Sequence, residues 1–278
     1  MNKLKKLRSI IRNAGSLLIA FSGGVDSTFL LKVASEVLPR DKLLAVTADS
    51  ATYPAEELLS AKCSVKRLGV RHKIVKTKEL KDSRFSANPV NRCYFCKSEL
   101  FLRLKKLAKE EKLNFVADAS NTSDKFDFRP GARAKTELKI RSPLAEAGLA
   151  KRDIRMLSKK IGLDTWDKPA LACLASRVHY GIKIDQRLLN KINQAENLIR
   201  RDGFRQVRVR HYNNGLCRIE VPKKEVGLLI KRGNLLVEKL KKLGYNYVTV
   251  DLEGYRTGSM NPTLPKARAG FIKRGRTG

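Results

Sequence analysis

The sequence predicts an α/β protein: a doubly wound parallel sheet followed by a smaller α+β domain. Short apolar runs alternate with segments of helical spacing up to residue 161, the pattern of strands linked by crossover helices. A glycine-rich turn, Ser22-Gly23-Gly24, interrupts the first apolar run where helical spacing resumes. After Gly181 the order changes to a long helix, two strands joined by Asn213-Asn214-Gly215, another long helix and a last strand.

The elements follow in order. The N-terminus, MNKLKKLRSIIRNAG, is basic and amphipathic. LLIAF is a short buried strand, and residues 25–38 form a helix with Leu30, Val33 and Val37 on one face. KLLAVTA (42–48) is the second strand, 55–68 a helix, and HKIVKT the third strand. Residues 97–111 read as a lysine-rich amphipathic helix, LNFVADAS (113–120) as the fourth strand, and PLAEAGL and 151–161 as helical. Beyond Gly181, residues 185–202 form one helix. FRQVRVRHY and GLCRIEVP form the hairpin, 223–243 one long helix, and YNYVTVDL the last strand. The domains predicted are 1–180, a ferredoxin-like unit over 181–258, and a basic tail over 259–278.

The 278 residues are 42% hydrophobic, enough to bury a core. No apolar run is long enough for a membrane helix, and the basic N-terminus lacks the apolar stretch of a secretory signal. A cytoplasmic protein with no membrane partner is expected. The charge is extreme: 59 Lys and Arg against 27 Asp and Glu, net +32. Such a field attracts polyanions and phosphorylated small molecules, so nucleic acid stands as a candidate partner beside a small nucleotide. Basic residues are spread along the chain rather than massed in one block, which equally describes lysine-rich solvated helices. Five cysteines, an odd number, argue against a disulfide framework.

Glycines between a strand and a helix let the backbone approach an anion, and the helix N-terminus aims amides and its dipole at it. Ser22, Ser27 and Thr28 add hydroxyls. The turn is built to cradle phosphate. It is neither GxxxxGK[ST] nor GxGxxG. Asp26, in the first helical turn, makes chemical sense where Mg²⁺ bridges it to a nucleotide; it also suits the dipole. Asp49 and Asp118 follow strands at the carboxyl edge of the sheet, where open α/β folds bind ligands. Asn121 and Asp124 follow there too, and all are residues that turns favour.

Cys93-Tyr94-Phe95-Cys96 precedes a helix, and Cys173 lies far along the chain in KPALACLASR. Three thiolates match a [4Fe–4S] cluster with one iron left open. A zinc site would need a fourth ligand, which His179 offers. Arg177 and Lys97 are cations that would favour a thiolate at Cys173, making it a candidate nucleophile. Alanine-flanked Cys173 also suits a core position. Cys63 and Cys217 read as structural.

SGGVDS after a strand is similar to the loop of the PP-loop ATP pyrophosphatases, which cleave ATP between its α- and β-phosphates. FSGGVDST, NPVNRCYFCK, DFRPGARA, RSPLAEAGL, TWDKPALACLASR, QVRVRHY and DLEGYRTGSMN together resemble the LarE family of ATP-dependent sulfur transferases, over residues 10–260. The resemblance implies ATP bound by Ser22, Gly23, Gly24, Asp26, Ser27, Asp49 and Asp118, with Mg²⁺ on Asp26. It implies adenylylation of a carboxylate of pyridinium-3,5-dicarboxylate mononucleotide, loss of pyrophosphate, and displacement of AMP by sulfur to give a thiocarboxylate. In one version of the family the cysteine at the Cys173 position gives up its sulfur. In the other, three cysteines carry a [4Fe–4S] cluster, and the presence of Cys93, Cys96 and Cys173 matches that version. Lys97 and Arg177 would stabilise charge at the sulfur site, with Ser176 beside them. Arg208 and Arg210, on one face of a strand, would clamp the substrate phosphate, and Glu196 would touch substrate or metal. The resemblance also implies a homo-oligomer, a hexamer. Ala119-Ser120 and His179 depart from the Gly-Thr and Pro usual in the family. A PP-loop tRNA thiolase is the alternative that the charge favours, although no paired CxxC zinc ribbon or RNA-binding module is present. A non-catalytic nucleic-acid-binding protein sits poorly with the intact loop.

Overall fold

The computed structural model describes residues 3–126, 130–169, 172–256 and 258–260. The chain divides into two compact units, one from the described residues of 1–81 and 93–171, the other from those of 82–92 and 172–278.

The first unit opens on α1 (Lys3–Ala14), which buries Leu7, Ile11 and Ala14 along one stripe. Then come β1 (Leu17–Ala20), α2 (Val25–Ser35), β2 (Leu43–Asp49), α3 (Ala55–Leu68) and β3 (Arg71–Lys76). Helix α4 (Ser83–Ser86) belongs to the second unit. The first resumes with α5 (Arg92–Glu110), β4 (Phe115–Ala117), α6 (Gly131–Glu137), α7 (Pro143–Glu146) and α8 (Lys151–Lys160). The sheet runs β3-β2-β1-β4, every pair parallel. Its central strands β1 and β2 are mostly buried on both faces, as a parallel sheet with helices on either side requires, while the edge strand β3 is partly exposed. Leu17, Ile19, Leu43 and Ala45 pack with α1, α2 and α3, while Leu18, Leu44 and Val46 pack with Phe101, Leu104 and Ala108 of α5. The doubly wound expectation holds. Helix α2 stops at Ser35 rather than residue 38, ahead of Pro39. Helix α5 begins five residues before residue 97 and so carries both CxxC cysteines on its first turns.

The second unit contains α9 (Gln186–Arg201), β5 (Arg208–His211), β6 (Leu216–Glu220), α10 (Val226–Lys231), α11 (Gly233–Lys242) and β7 (Tyr247–Val250). β5 and β6 pair antiparallel across Asn213–Gly215, with Asn214 at φ 60°, the hairpin expected. β6 and β7 are parallel, so the sheet β5-β6-β7 is mixed and lacks the antiparallel ferredoxin-like order. The single helix expected over 223–243 is broken before Gly233, a poor helix interior residue, where Arg232 turns back to the Asp202 carbonyl. Residues 172–180 join this unit instead of the first domain. Gly181 N–H donates to Asn88 O at 3.1 Å, Ile184 N–H to Ser86 O at 2.7 Å, and Asn88 Nδ2 to His179 O at 2.8 Å. Ser259 and Met260, expected in the tail, are buried; residues 261–278 lie outside the described residues.

His211 packs beside Tyr245, ring centroids 5.8 Å apart, and its buried Nδ1 has no hydrogen-bond partner. Cys217 pairs with it across the hairpin, and Lys191 Nζ lies 4.1 Å from the Tyr245 ring centroid. Burial, with the Lys191 charge, pushes His211 down from 6.5 to about 4. The unfolded chain therefore takes up this proton first as the pH falls, so the stability linked to neutral His211 is whole above about 6.5 and lost towards about 4. We expect the urea midpoint of the protein to drop over that window, and His211→Gln to flatten the drop relative to wild type.

Candidate active site

Parallel strands deliver their carboxyl ends to one edge of the first unit. Ser22-Gly23-Gly24 leaves β1 there, Asp49 ends β2, and Asp118 follows β4. Gly23 sits at φ +71°, and a Cβ on it would lie 3.1 Å from Ala61 Cα; the turn needs glycine both for its conformation and for its room. Gly24 caps α2 without any side-chain hydrogen bond to the first-turn amides, which leaves those amides available to an anion. The two serines brace the turn. Ser22 Oγ and Ser27 Oγ are 3.1 Å apart, and Ser27 Oγ donates to Gly24 O at 3.1 Å. Lys168 supports it from outside, donating to Gly23 O at 3.3 Å, Glu57 at 2.9 Å and Ser60 Oγ at 3.2 Å.

Asp26 Oδ2 accepts from Lys151 Nζ at 2.6 Å, while Oδ1 is buried and has no hydrogen-bond partner. Burial raises the carboxyl above its ordinary value and Asp124 adds to this; Lys151 opposes it. A buried carboxylate oxygen with nothing to bind, beside a phosphate turn, fits a divalent cation. Asp118 differs. It accepts from Ser142 Oγ at 2.6 Å and Ser120 Oγ at 2.6 Å, and pairs with Lys135 at 3.1 Å. Burial works against its ionisation, but Lys135, Lys97 and the two hydroxyls outweigh it and hold the carboxyl low. Asp118 is thus an internal anion that orders the edge.

Cys93 and Cys96 are half-buried and three residues apart, so they share a helix face. The chain enters α5 from the β3 end of the sheet and returns to β4, so the CxxC turn lies on the same edge as the phosphate turn. Lys97 acts electrostatically on Asp118 there. Helix α6 locks this turn in place. A Cβ on Gly131 would fall 2.4 Å from Lys97 Cδ, while Tyr94 Oη donates to Glu137 at 2.6 Å and Arg133 Nε to the same carboxylate at 2.6 Å.

In the second unit Cys173, half-buried, starts a short 3₁₀ turn over Leu174–Arg177. Arg177 is 1% exposed and folds back on that turn, donating to Ala172 O at 2.5 Å, Cys173 O at 3.1 Å and Ser176 Oγ at 3.1 Å. Its other nitrogens grip Glu196 at 2.8 and 3.2 Å. Glu196, itself at 0% exposure, also accepts from Arg200 at 2.6 Å and the Val209 amide at 3.1 Å. Burial works against ionisation of Glu196, and the arginines outweigh it, keeping the carboxyl low. Both oxygens are engaged by partners within the unit. Glu196 anchors Arg177, whose guanidinium also holds the Ala172 and Cys173 carbonyls.

Arg208 and Arg210 are buried as well. Arg210 binds Ser176 O at 3.0 Å, Glu220 at 2.8 Å and Ser259 Oγ at 2.9 Å, with Nε unpartnered. Arg208 lies 5.3 Å from the Tyr255 ring centroid and donates to Val207 O at 2.8 Å. Burial and the neighbouring Arg177 charge push it down to about 10. The six residues Cys173, Ser176, Arg177, Glu196, Arg208 and Arg210 thus form one connected group. Among the described residues no cluster of three or more His, Cys, Asp or Glu is placed to hold a metal ion. Sequence reading missed Lys151, Lys168, Lys135 and Glu220. Lys168 lies inside the TWDKPALACLASR segment and Lys151 just beyond RSPLAEAGL; their partners are set only by the fold.

A family profile described as NAD synthase matches residues 3–105. The chain is 43% identical to an uncharacterised Synechocystis protein over 95% of this chain and 99% of that one. It is 35% identical to the pyridinium-3,5-bisthiocarboxylic acid mononucleotide synthase of Lactiplantibacillus plantarum over 96% of each. The structure of NMN synthetase from Francisella tularensis aligns with a TM-score of 0.48 at 17% identity, over 60% of this chain and 74% of that one.

Gly23→Ala is expected to cost about 1–2 kcal/mol of stability and to weaken nucleotide turnover on the order of 100-fold, read by denaturant unfolding and pyrophosphate release. Glu196→Gln strands Arg177 in the interior. It should lower stability by about 3–5 kcal/mol in the same unfolding assay, whereas an open ligand replaced in this way would leave the midpoint unchanged.

Proposed function

The chain belongs to the family of the pyridinium-3,5-bisthiocarboxylic acid mononucleotide synthase, the LarE family, and on that premise we propose that it transfers sulfur to a carboxylate of pyridinium-3,5-dicarboxylate mononucleotide at the expense of ATP. The turn at 22–24 and the amides of α2 hold the pyrophosphate end of ATP. Mg²⁺ on Asp26 would supply charge neutralisation for the phosphates. A substrate carboxylate oxygen attacks the α-phosphorus, the bond to the β-phosphate oxygen breaks, and pyrophosphate leaves. The acyl-adenylate carbon then accepts a sulfur nucleophile, its bond to AMP oxygen breaks, and a thiocarboxylate remains. Adenylylation is needed because a free carboxylate repels sulfide and has no competent leaving group.

The observation that carries this reading is the CxxC turn of α5 on the same sheet edge as the phosphate turn, clamped there by Gly131, Tyr94 and Glu137. Cys93, Cys96 and Cys173 would hold a [4Fe–4S] cluster, which supplies an open iron for sulfide. Arg208 and Arg210 bind the substrate phosphate. Support for this comes from the surplus of guanidinium in their neighbourhood: Arg177, Arg200, Arg208, Arg210 and Arg218 are balanced there by Glu196, Glu220 and Asp251. The same burial argues for a small nucleotide over RNA, since these arginines are not displayed on a face. Exposed Leu228, Ile230 and Leu235 supply apolar surface for self-association, in keeping with an oligomer. No helix among the described residues is long and apolar enough to cross a membrane, and we place the reaction in the cytoplasm.

Pyrophosphate release from ATP should depend on the dicarboxylate nucleotide; release that ignores this nucleotide and responds to tRNA would instead support the thiolase alternative. After anaerobic reconstitution, iron and sulfide counting should give a cluster in wild type and none in Cys93→Ala, Cys96→Ala or Cys173→Ala. A cluster retained by Cys173→Ala contradicts the three-thiol assignment.

A further inference from the structure

Asp26 is held on one side only. Lys151 Nζ stands 2.6 Å from Oδ2, and Oδ1 is buried without a partner. Asp124 adds negative potential and Arg155 positive potential at the same carboxyl. This corner therefore sets two carboxylates against two cations. Lys151 sits at the start of α8, where its backbone N–H bonds Ser123 Oγ at 3.1 Å. Its side chain is 32% exposed and long enough to swing without moving the helix. No acceptor other than Asp26 Oδ2 holds the ammonium in the hydrogen bonds described for it.

A divalent cation on Asp26 changes this balance. An ammonium and a divalent ion in contact with one carboxylate repel each other at a few ångströms, an interaction of several kcal/mol at the effective dielectric of a half-buried site. The nucleotide that accompanies the ion brings phosphate oxygens, which are strong acceptors for a lysine. We infer that Lys151 is an exchangeable counter-ion. It occupies Asp26 while the turn is empty, yields Asp26 to the divalent cation on loading, and moves to a phosphate oxygen of the pyrophosphate end. This rests on the assignment of the 22–27 turn as the ATP site. The competing account makes Lys151 a static strut between α8 and α2.

The two accounts differ in sign. With Mn²⁺ alone as the probe, titrated by electron paramagnetic resonance without nucleotide, Lys151→Met should bind about ten-fold more tightly than wild type, because the competing ammonium is gone. With inorganic pyrophosphate in saturating Mg²⁺, measured by calorimetry, the same variant should bind about ten-fold more weakly, because a phosphate contact is lost; each ten-fold corresponds to about 1.4 kcal/mol. Lys151→Arg should keep pyrophosphate affinity near wild type. It guards against misfolding of the Met variant, as does the thermal midpoint of each protein. Weakening of both ligands together, or no change in either, overturns the exchange. Asp26→Asn separates this from the underlying assignment. If it abolishes Mn²⁺ binding while Lys151→Met changes nothing, the exchange alone fails. If wild type binds no pyrophosphate, or Mn²⁺ is indifferent to Asp26, the ATP-site assignment fails and takes the exchange with it.

Discussion

In a wholly parallel sheet each strand must finish at the same edge, and that constraint organises the first unit. It brings the turn after β1, Asp49 at the end of β2 and Asp118 after β4 into one row without any of them being near in sequence. It also dictates where the return helix α5 must start, and so where Cys93 and Cys96 stand. The chemistry proposed for the chain needs phosphate-gripping amides and sulfur-bearing groups within reach of one substrate. The sheet supplies the first requirement and half of the second before any side chain is considered.

The side chains then fix what the backbone leaves loose. On the nucleotide edge the anions are treated in two ways. Asp118 is fully engaged by Lys135, Ser120 and Ser142 and serves as scaffold. Asp26 keeps one oxygen unmatched, and it is there that a divalent cation is proposed. The second unit makes the complementary choice with cations. Burying Glu196 and Glu220 among arginines carries a desolvation cost that ion pairing rarely more than offsets, so the gain is geometric. Arg177 cannot turn without breaking Glu196, and the carbonyls of Ala172 and Cys173 are held by the same guanidinium. Cys173 is presented by a turn that the interior of its unit holds rigid.

Much of this was legible in the sequence where the signal is local. SGGVDS announces its turn because glycine is required at Gly23 and because the helix begins immediately after. Asn213-Asn214-Gly215 marks its hairpin for the same backbone reason. The helix over 55–68 was read to the residue because glycine at 69 stops it. Long-range pairing was not legible. Arg208 and Arg210 read as a free clamp, since nothing in RVR says that Glu220, opposite Arg208 in the register, reaches diagonally to Arg210 or that Glu196 reaches the Val209 amide from α9. The break before Gly233 depends on Arg232 finding Asp202, and the attachment of 82–92 to the second unit depends on Asn88 meeting the 178–181 backbone. The net charge of +32 was legible as well, but composition does not say that Arg177, Arg208 and Arg210 are buried.

Mass spectrometry of product and protein from one anaerobic reaction with ATP and the dicarboxylate nucleotide tests the central claim most directly. The account predicts a product in which oxygen is exchanged for sulfur, formed over repeated turnovers with external sulfide, and a polypeptide whose Cys173 is unaltered. A product without sulfur, or sulfur gained only as Cys173 is converted to dehydroalanine, would contradict it.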